Sequence, residues 1–166
     1  MDNIILIGMP GCGKSTVGVL LAKRLGYRFI DSDLLIQEEE GKRLFEILRD
    51  DGNEYFVAAE NRVNAAIKAE RTVIATGGSV IFGKEAMQNL KSIGRVVYLR
   101  LELEEIERRV NNLKTRGVLM KEGQTLADVF KERTPLYEKY ADITVDCDDA
   151  DISKNADKIE KALLKL

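Results

Sequence analysis

Residues 8 to 15 read Gly-Met-Pro-Gly-Cys-Gly-Lys-Ser and fill every position of the phosphate-binding pattern G-x-x-x-x-G-K-[ST]. Chemistry on a nucleotide phosphate needs hydrogen-bond donors that converge on a small anion, and this spacing supplies them. Glycines at 8, 11 and 13 let the backbone turn tightly, so successive amides point inward at the phosphates. A helix expected to begin near Lys14 adds its positive dipole end. Lys14 reaches the β- and γ-phosphates and should face solvent in the empty site, while the Ser15 hydroxyl is a hard oxygen ligand suited to Mg²⁺. A chance glycine-rich turn would fill the pattern in at most about one chain in a hundred of this length at ordinary glycine usage. Cys12 lies inside the loop, where it is either a sensitive thiol beside a helix N-terminus or a small tolerated side chain.

Asp31-Ser32-Asp33 is the second constellation. Two carboxylates one residue apart can face one site from a loop, one toward Mg²⁺ and one toward an acceptor hydroxyl. The same residues could instead cap the following helix. The neighbouring phosphate loop favours the catalytic reading. A GTPase would need a D-x-x-G switch and an N-K-x-D base reader, and the chain has neither.

Composition narrows the chemistry further. The chain has no histidine, which excludes imidazole-based zinc sites and Ser-His or Cys-His nucleophiles. Catalysis therefore falls to carboxylates, Lys, Arg, backbone amides or a metal. A net charge of −2 with mixed signs and no long basic run leaves no electrostatic footprint for nucleic acid. No apolar run approaches the roughly 20 residues of a membrane span. Two cysteines, Cys12 and Cys147, make no disulfide framework, and no secretory segment opens the chain, so a reducing cytoplasm is expected. A length of 166 residues predicts one domain.

Elements that could position these residues follow from periodicity. Residues 3–8 (NIILIG) form a continuous apolar run of the kind seen in parallel strands buried on both faces. Residues 14–25 carry a helical period through Val17, Leu20, Leu21 and Leu25, with Gly26 as its stop. Strands are predicted at 28–31, 72–76, 95–101 and 143–145, and helices at 84–93, 104–113, 126–140 and 152–166. Between the second and third strands, 34–48 is mostly helical with a break near Gly41, and 54–69 is a long helix with Phe56, Ala59, Val63 and Ile67 on one face. Residues 114–124 are polar, contain Gly117 and Gly123, and read as a mobile loop. Alternation of strands and helices predicts a parallel sheet covered on both faces, with ligands at the carboxyl ends of its strands. Glycines follow the first strand there, aspartates the second, and Gly77-Gly78 the third.

The succession GMPGCGKST, DSD, Asp51-Gly52 with Glu54 and Phe56, Gly77-Gly78, a loop with Arg116, and Arg133-Thr134-Pro135-Leu136-Tyr137 resembles the shikimate kinase family over nearly the whole chain. That resemblance implies an α/β three-layer sandwich with a five-stranded parallel sheet, a P-loop kinase fold with a mobile lid at about 114–124. It implies a nucleotide cradle of Gly11, Cys12, Gly13, Lys14, Ser15 and Thr16, with Arg109 and Arg116 flanking ATP and Arg116 near the transferring phosphoryl. Ser15 and Asp31 would hold Mg²⁺. Asp33 would position or deprotonate the acceptor hydroxyl, and Lys14, Asp33 and Arg116 would be the catalytic groups. The acceptor would meet Asp33, position 57, Gly77, Gly78, Ser79 and Arg133, the last through its carboxylate.

Three positions depart from the family pattern. Val57 stands where the family carries an arginine that forms half of the carboxylate clamp, leaving its acidic neighbour Glu60 in place. Ser79 replaces a third glycine, and Gly117 replaces the proline after the lid arginine. Leu48 also stands where an aromatic is common in the acceptor pocket. The implied activity is transfer of the γ-phosphoryl of ATP to a hydroxyl of shikimate, a step in chorismate and aromatic amino-acid biosynthesis. A different small hydroxylated acceptor, or a non-catalytic nucleotide-binding role, are the alternatives. ATP and a small carboxylate-bearing substrate are the expected partners of a monomer, with neither nucleic acid nor membrane.

Overall fold

The computed structural model describes residues 2–110, 117–147 and 151–165. Strand β1 (Asn3–Ile7) is buried at all five positions and lies at the centre of the sheet, which is what an unbroken apolar run requires. Around it stand β2 (Arg28–Asp31), β3 (Thr72–Ala75), β4 (Gly94–Arg100) and β5 (Ile143–Asp146), in the order β2-β3-β1-β4-β5. Every pairing is parallel; Ile5, for example, is opposite Ile74 on one side and Val96 on the other.

Parallel strands need crossovers, and helices supply them. Helix α1 (Lys14–Leu25) joins β1 to β2 and packs against α7 (Ile152–Leu163), which follows β5. Helices α2 (Ser32–Glu40) and α3 (Leu44–Ala65) connect β2 to β3, and α3 packs on α4 (Lys84–Ile93). A short 3₁₀ turn, Val80–Phe82, precedes α4. Helices α5 (Leu103–Arg109) and α6 (Leu126–Tyr140) lie between β4 and β5.

The expected α1, α4 and α6 appear with the expected limits. Two expectations change. The helix placed at 54–69 begins earlier and stops at Ala65; Gly52, with φ 86° and ψ 172°, breaks α3 internally, so 44–51 and 53–65 are two segments meeting at a bend. The helix placed at 104–113 ends at Arg109, and residues 111–113 lie outside the described residues. The main core lies between the sheet and its helices. A smaller cluster of Ile36, Leu44, Ile47, Phe56 and Val63 binds α2 to α3. Leu48, like Leu119, packs on that smaller cluster and is not among the residues lining the site. Among the described residues no helix is long and apolar enough to cross a membrane.

Candidate active site

The loop between β1 and α1 has the conformation its glycines allow. Gly8, Gly11 and Gly13 take φ values of 149°, 78° and 92°. A Cβ on Gly8 would stand 2.8 Å from the carbonyl oxygen of Leu99, so this position also needs the close approach that only glycine permits. Gly13 caps α1 without a side-chain hydrogen bond, and the first turn has no acidic residue. Free donors and the positive helix end therefore meet at one point, ready for phosphate.

Lys14 is buried rather than solvent-facing. Its Nζ donates to the carbonyl oxygens of Gly8 and Met9, both at 2.8 Å, and lies 3.7 Å from the Cys12 Sγ. The ammonium satisfies itself on the carbonyls of its own loop. Cys12 points inward, is buried, and does not line the cavity.

Asp31 closes β2, and its two oxygens take separate partners. Its Oδ1 accepts from the Asp33 amide at 3.0 Å and caps α2, while its Oδ2 accepts from the Ser15 hydroxyl at 2.7 Å. This exposed pair of hard oxygens fits Mg²⁺, which takes one or two protein oxygens and fills its octahedron with phosphate and water. Among the described residues no group of three or more Cys, Asp or Glu side chains is placed to hold a metal ion by itself.

A cavity of about 370 Å³ runs from the loop to the acceptor end. Gly11, Gly13, Lys14, Ser15 and Thr16 line one side; Asp33, Gly77, Gly78, Ser79 and Arg133 line the other. Asp33 as a whole is half-buried, but its Oδ1 is sealed from solvent without a partner. Burial, then the charge of Asp31, push its carboxyl up to about 6 against the pull of Lys14. Such a group can hold an acceptor hydroxyl and take its proton near neutral pH. Arg133 is 2% exposed; its Nη2 donates to the Leu119 carbonyl, its guanidinium lies over the Phe82 ring, and its Nε is unpartnered. That nitrogen is available to an anionic group of the acceptor. The Tyr137 hydroxyl donates to the Gly78 carbonyl, tying α6 to the turn after β3.

Other candidates are placed elsewhere. Val57 does not border the cavity that holds Asp33. It lines an adjoining, more apolar cavity of about 410 Å³ with Phe82 and Met120, and only Leu119 and Arg133 are common to both. The bend at Gly52 and the turn of α3 direct Phe56 and Glu60, not Val57, toward Asp33. Arg109 is half-buried at the end of α5, where its Nε donates to Glu105 at 2.7 Å, and it does not line the cavity. Arg116, and the lid residues 114–116 with it, lie outside the described residues.

The rest of the expected lid is anchored. Gly117 has φ 69° and approaches α3 so closely that a Cβ would stand 2.5 Å from that of Leu44. Carbonyls of Leu119 and Met120 are held by Arg133 and by the Asn53 amide. The glycine at 117 is thus required by packing.

Glu60 is the functional candidate that residue types alone understated. It is buried on the inward face of α3, accepts the Ser79 hydroxyl at 2.6 Å, and lines the cavity opposite Asp33. Its signal in the sequence is an acidic residue at a position where the helical period calls for an apolar one, between Phe56 and Val63.

Comparisons with known proteins point to one family. The family model described as shikimate kinase matches residues 10–164. A shikimate kinase of Caldanaerobacter subterraneus subsp. tengcongensis is 36% identical, over 100% of this chain and 98% of its own. One from Persephonella marina is 38% identical, over 87% of this chain and 88% of its own. Among solved structures, shikimate kinase from Acinetobacter baumannii in complex with shikimate superposes with a TM-score of 0.89. It is 35% identical and the match covers 99% of this chain and 94% of that one. With a complete phosphate loop, a parallel five-stranded sheet and relatives this similar over most of their length, the chain belongs to the shikimate kinase family.

Proposed function

We propose that this chain transfers the γ-phosphoryl of ATP to a hydroxyl of shikimate, a step toward chorismate and the aromatic amino acids. The observation that carries the reading is the single cavity in which the phosphate loop faces Asp33, Gly78 and Arg133. Phosphoryl transfer is mostly positioning and charge neutralisation, so these groups suffice. Lys14 leaves the carbonyls of Gly8 and Met9 for the β- and γ-phosphates. Ser15 and Asp31 would hold Mg²⁺, which would supply positive charge to neutralise the phosphates. Asp33 orients the acceptor hydroxyl and takes its proton as that oxygen bonds to the γ-phosphorus and ADP departs. Arg133 binds the acceptor carboxylate, with the Gly77-Gly78 backbone at its side. Arg116 is assigned to the transferring phosphoryl and Arg109 to the nucleotide. One monomeric kinase domain in the cytoplasm, with ATP and a small carboxylate-bearing acceptor as partners, completes the reading.

Val57, uncharged where the family pattern carries an arginine, favours one second reading, a small hydroxylated acceptor less acidic than shikimate. A coupled ADP-release assay over a panel of hydroxy acids and polyols separates the two. Shikimate should give the highest kcat/KM with Mg-ATP. A neutral polyol that outperforms it would assign the second reading instead.

A further inference from the structure

The acceptor end of the cavity contains a carboxyl that phosphoryl transfer itself does not employ. Glu60 is 2% exposed, its Oε1 takes the Ser79 hydroxyl, and its Oε2 is sealed from solvent without a hydrogen-bond partner. That Oε2 and the Asp33 Oδ1 each lie 2.7 Å from the point that a Cβ on Gly77 would occupy. The two oxygens therefore face each other across a gap no wider than twice that distance. One turn earlier on the same helix stands Val57, which brings no charge.

We infer that Glu60 is a specificity-determining residue of the acceptor site: held by Ser79 and facing Asp33 across Gly77, it admits an acceptor carboxylate only when it carries a proton. The inference rests on the proposed shikimate kinase reading and deepens it.

The reason is local charge. A buried carboxylate without a cationic partner is costly, and such a group responds by keeping its proton. Charged groups face Glu60 from three elements: Asp33 from α2, Arg133 from α6 and Lys14 from α1, with the Ser79 hydroxyl from the turn after β3. Burial is the largest influence and, with Asp33, raises the group to about 7; Ser79, Arg133 and Lys14 oppose it. Lys14 is committed to phosphate once ATP is bound. An acceptor carboxylate on Arg133 then adds a negative charge beside Asp33 and Glu60, and with Glu60 ionised three anions share one arginine. A proton on Oε2 removes one of them. Proton and carboxylate thus bind cooperatively, and the linkage is reciprocal. The proton comes from solvent on acceptor binding and returns on release; no covalent bond changes.

The test uses the full chain with saturating Mg-ATP between pH 6 and pH 8.5. The KM for shikimate should rise about thirtyfold across this range, as loss of a single required proton from a group near 7 dictates. The KM for the methyl ester of shikimate should stay flat, which separates Glu60 from titration of ATP or Asp33. Glu60→Gln keeps an oxygen for Ser79 but cannot ionise, so its KM for shikimate should be flat and near the low-pH value of the wild type. Calorimetry of shikimate binding near pH 7.5, in two buffers of different ionisation enthalpy, should show proton uptake by the wild type and none by Glu60→Gln. Ser79→Ala provides a second route if Glu60→Gln does not fold. Loss of the hydroxyl that favours the anion should move the rise in KM to higher pH. A pH-independent shikimate KM in the wild type, or an unchanged pH profile in Glu60→Gln, overturns the inference while leaving the activity intact. Absence of shikimate turnover at every pH overturns the acceptor assignment and this inference with it.

Discussion

Gly77→Ala tests the geometry on which the acceptor site depends. The φ of Gly77 lies outside the left-handed region, so alanine is not strained by the backbone; the new methyl decides the outcome. It would stand 2.7 Å from both the Asp33 Oδ1 and the Glu60 Oε2, well inside ordinary contact. Glu60 is buried and anchored by a 2.6 Å bond to Ser79, so it yields little. Asp33 is half-buried in the first turn of α2 and takes most of the displacement. Overpacking of this kind costs about 1–3 kcal/mol, and relief through Asp33 puts the expected loss near the lower end. For a domain of this size that lowers Tm by about 2–4 °C. The catalytic effect should be larger, because a misplacement approaching 1 Å at a positioned group costs up to about a hundredfold in rate. The expected result is kcat reduced about 10–100-fold with the KM for ATP little changed, measured by coupled assay beside a thermal melt. Near-wild-type kcat and Tm together would refute the idea that Asp33 and Glu60 converge tightly over Gly77.

Gly78→Ala should behave differently, since its Cβ would meet the rigid Pro10 ring at 2.7 and 2.8 Å; pressure on the phosphate loop should raise the KM for ATP, and an unchanged value would count against that contact. Lys14→Ala should abolish turnover. It should also cost about 1–2 kcal/mol in chemical denaturation, because the carbonyls of Gly8 and Met9 lose a charged donor. Retained turnover at saturating ATP would show the phosphate loop to be misassigned. Val57→Arg adds a cation one turn before Glu60 and beside Arg133, so the KM for shikimate should fall several-fold. A rise in KM would mean that the new guanidinium cannot reach the acceptor from the adjoining cavity.

Some of this was legible in the residues alone because it is local. The glycines of the phosphate loop, the apolar run of β1 and the period of α1 are each contiguous in the chain, and backbone sterics turn such patterns directly into structure. The strand ends could be read as the site because parallel sheets collect ligands there. Asp31 illustrates the limit: its type and place suggested either a helix cap or a metal ligand, and the fold lets the two oxygens of one carboxylate serve separate partners. What lay beyond the sequence depends on how distant elements pack. Ser79 and Glu60 meet because the turn after β3 lies against α3, and nothing in either segment announces the other. Val57 is turned into the adjoining cavity, and Leu48 into the small core, by a helix whose course bends at Gly52. Lys14 folds back because its loop carbonyls, not solvent, are the nearest acceptors. Side-chain direction within an element follows from local periodicity, but the partner that a buried polar atom finds is decided only when the layers close around it.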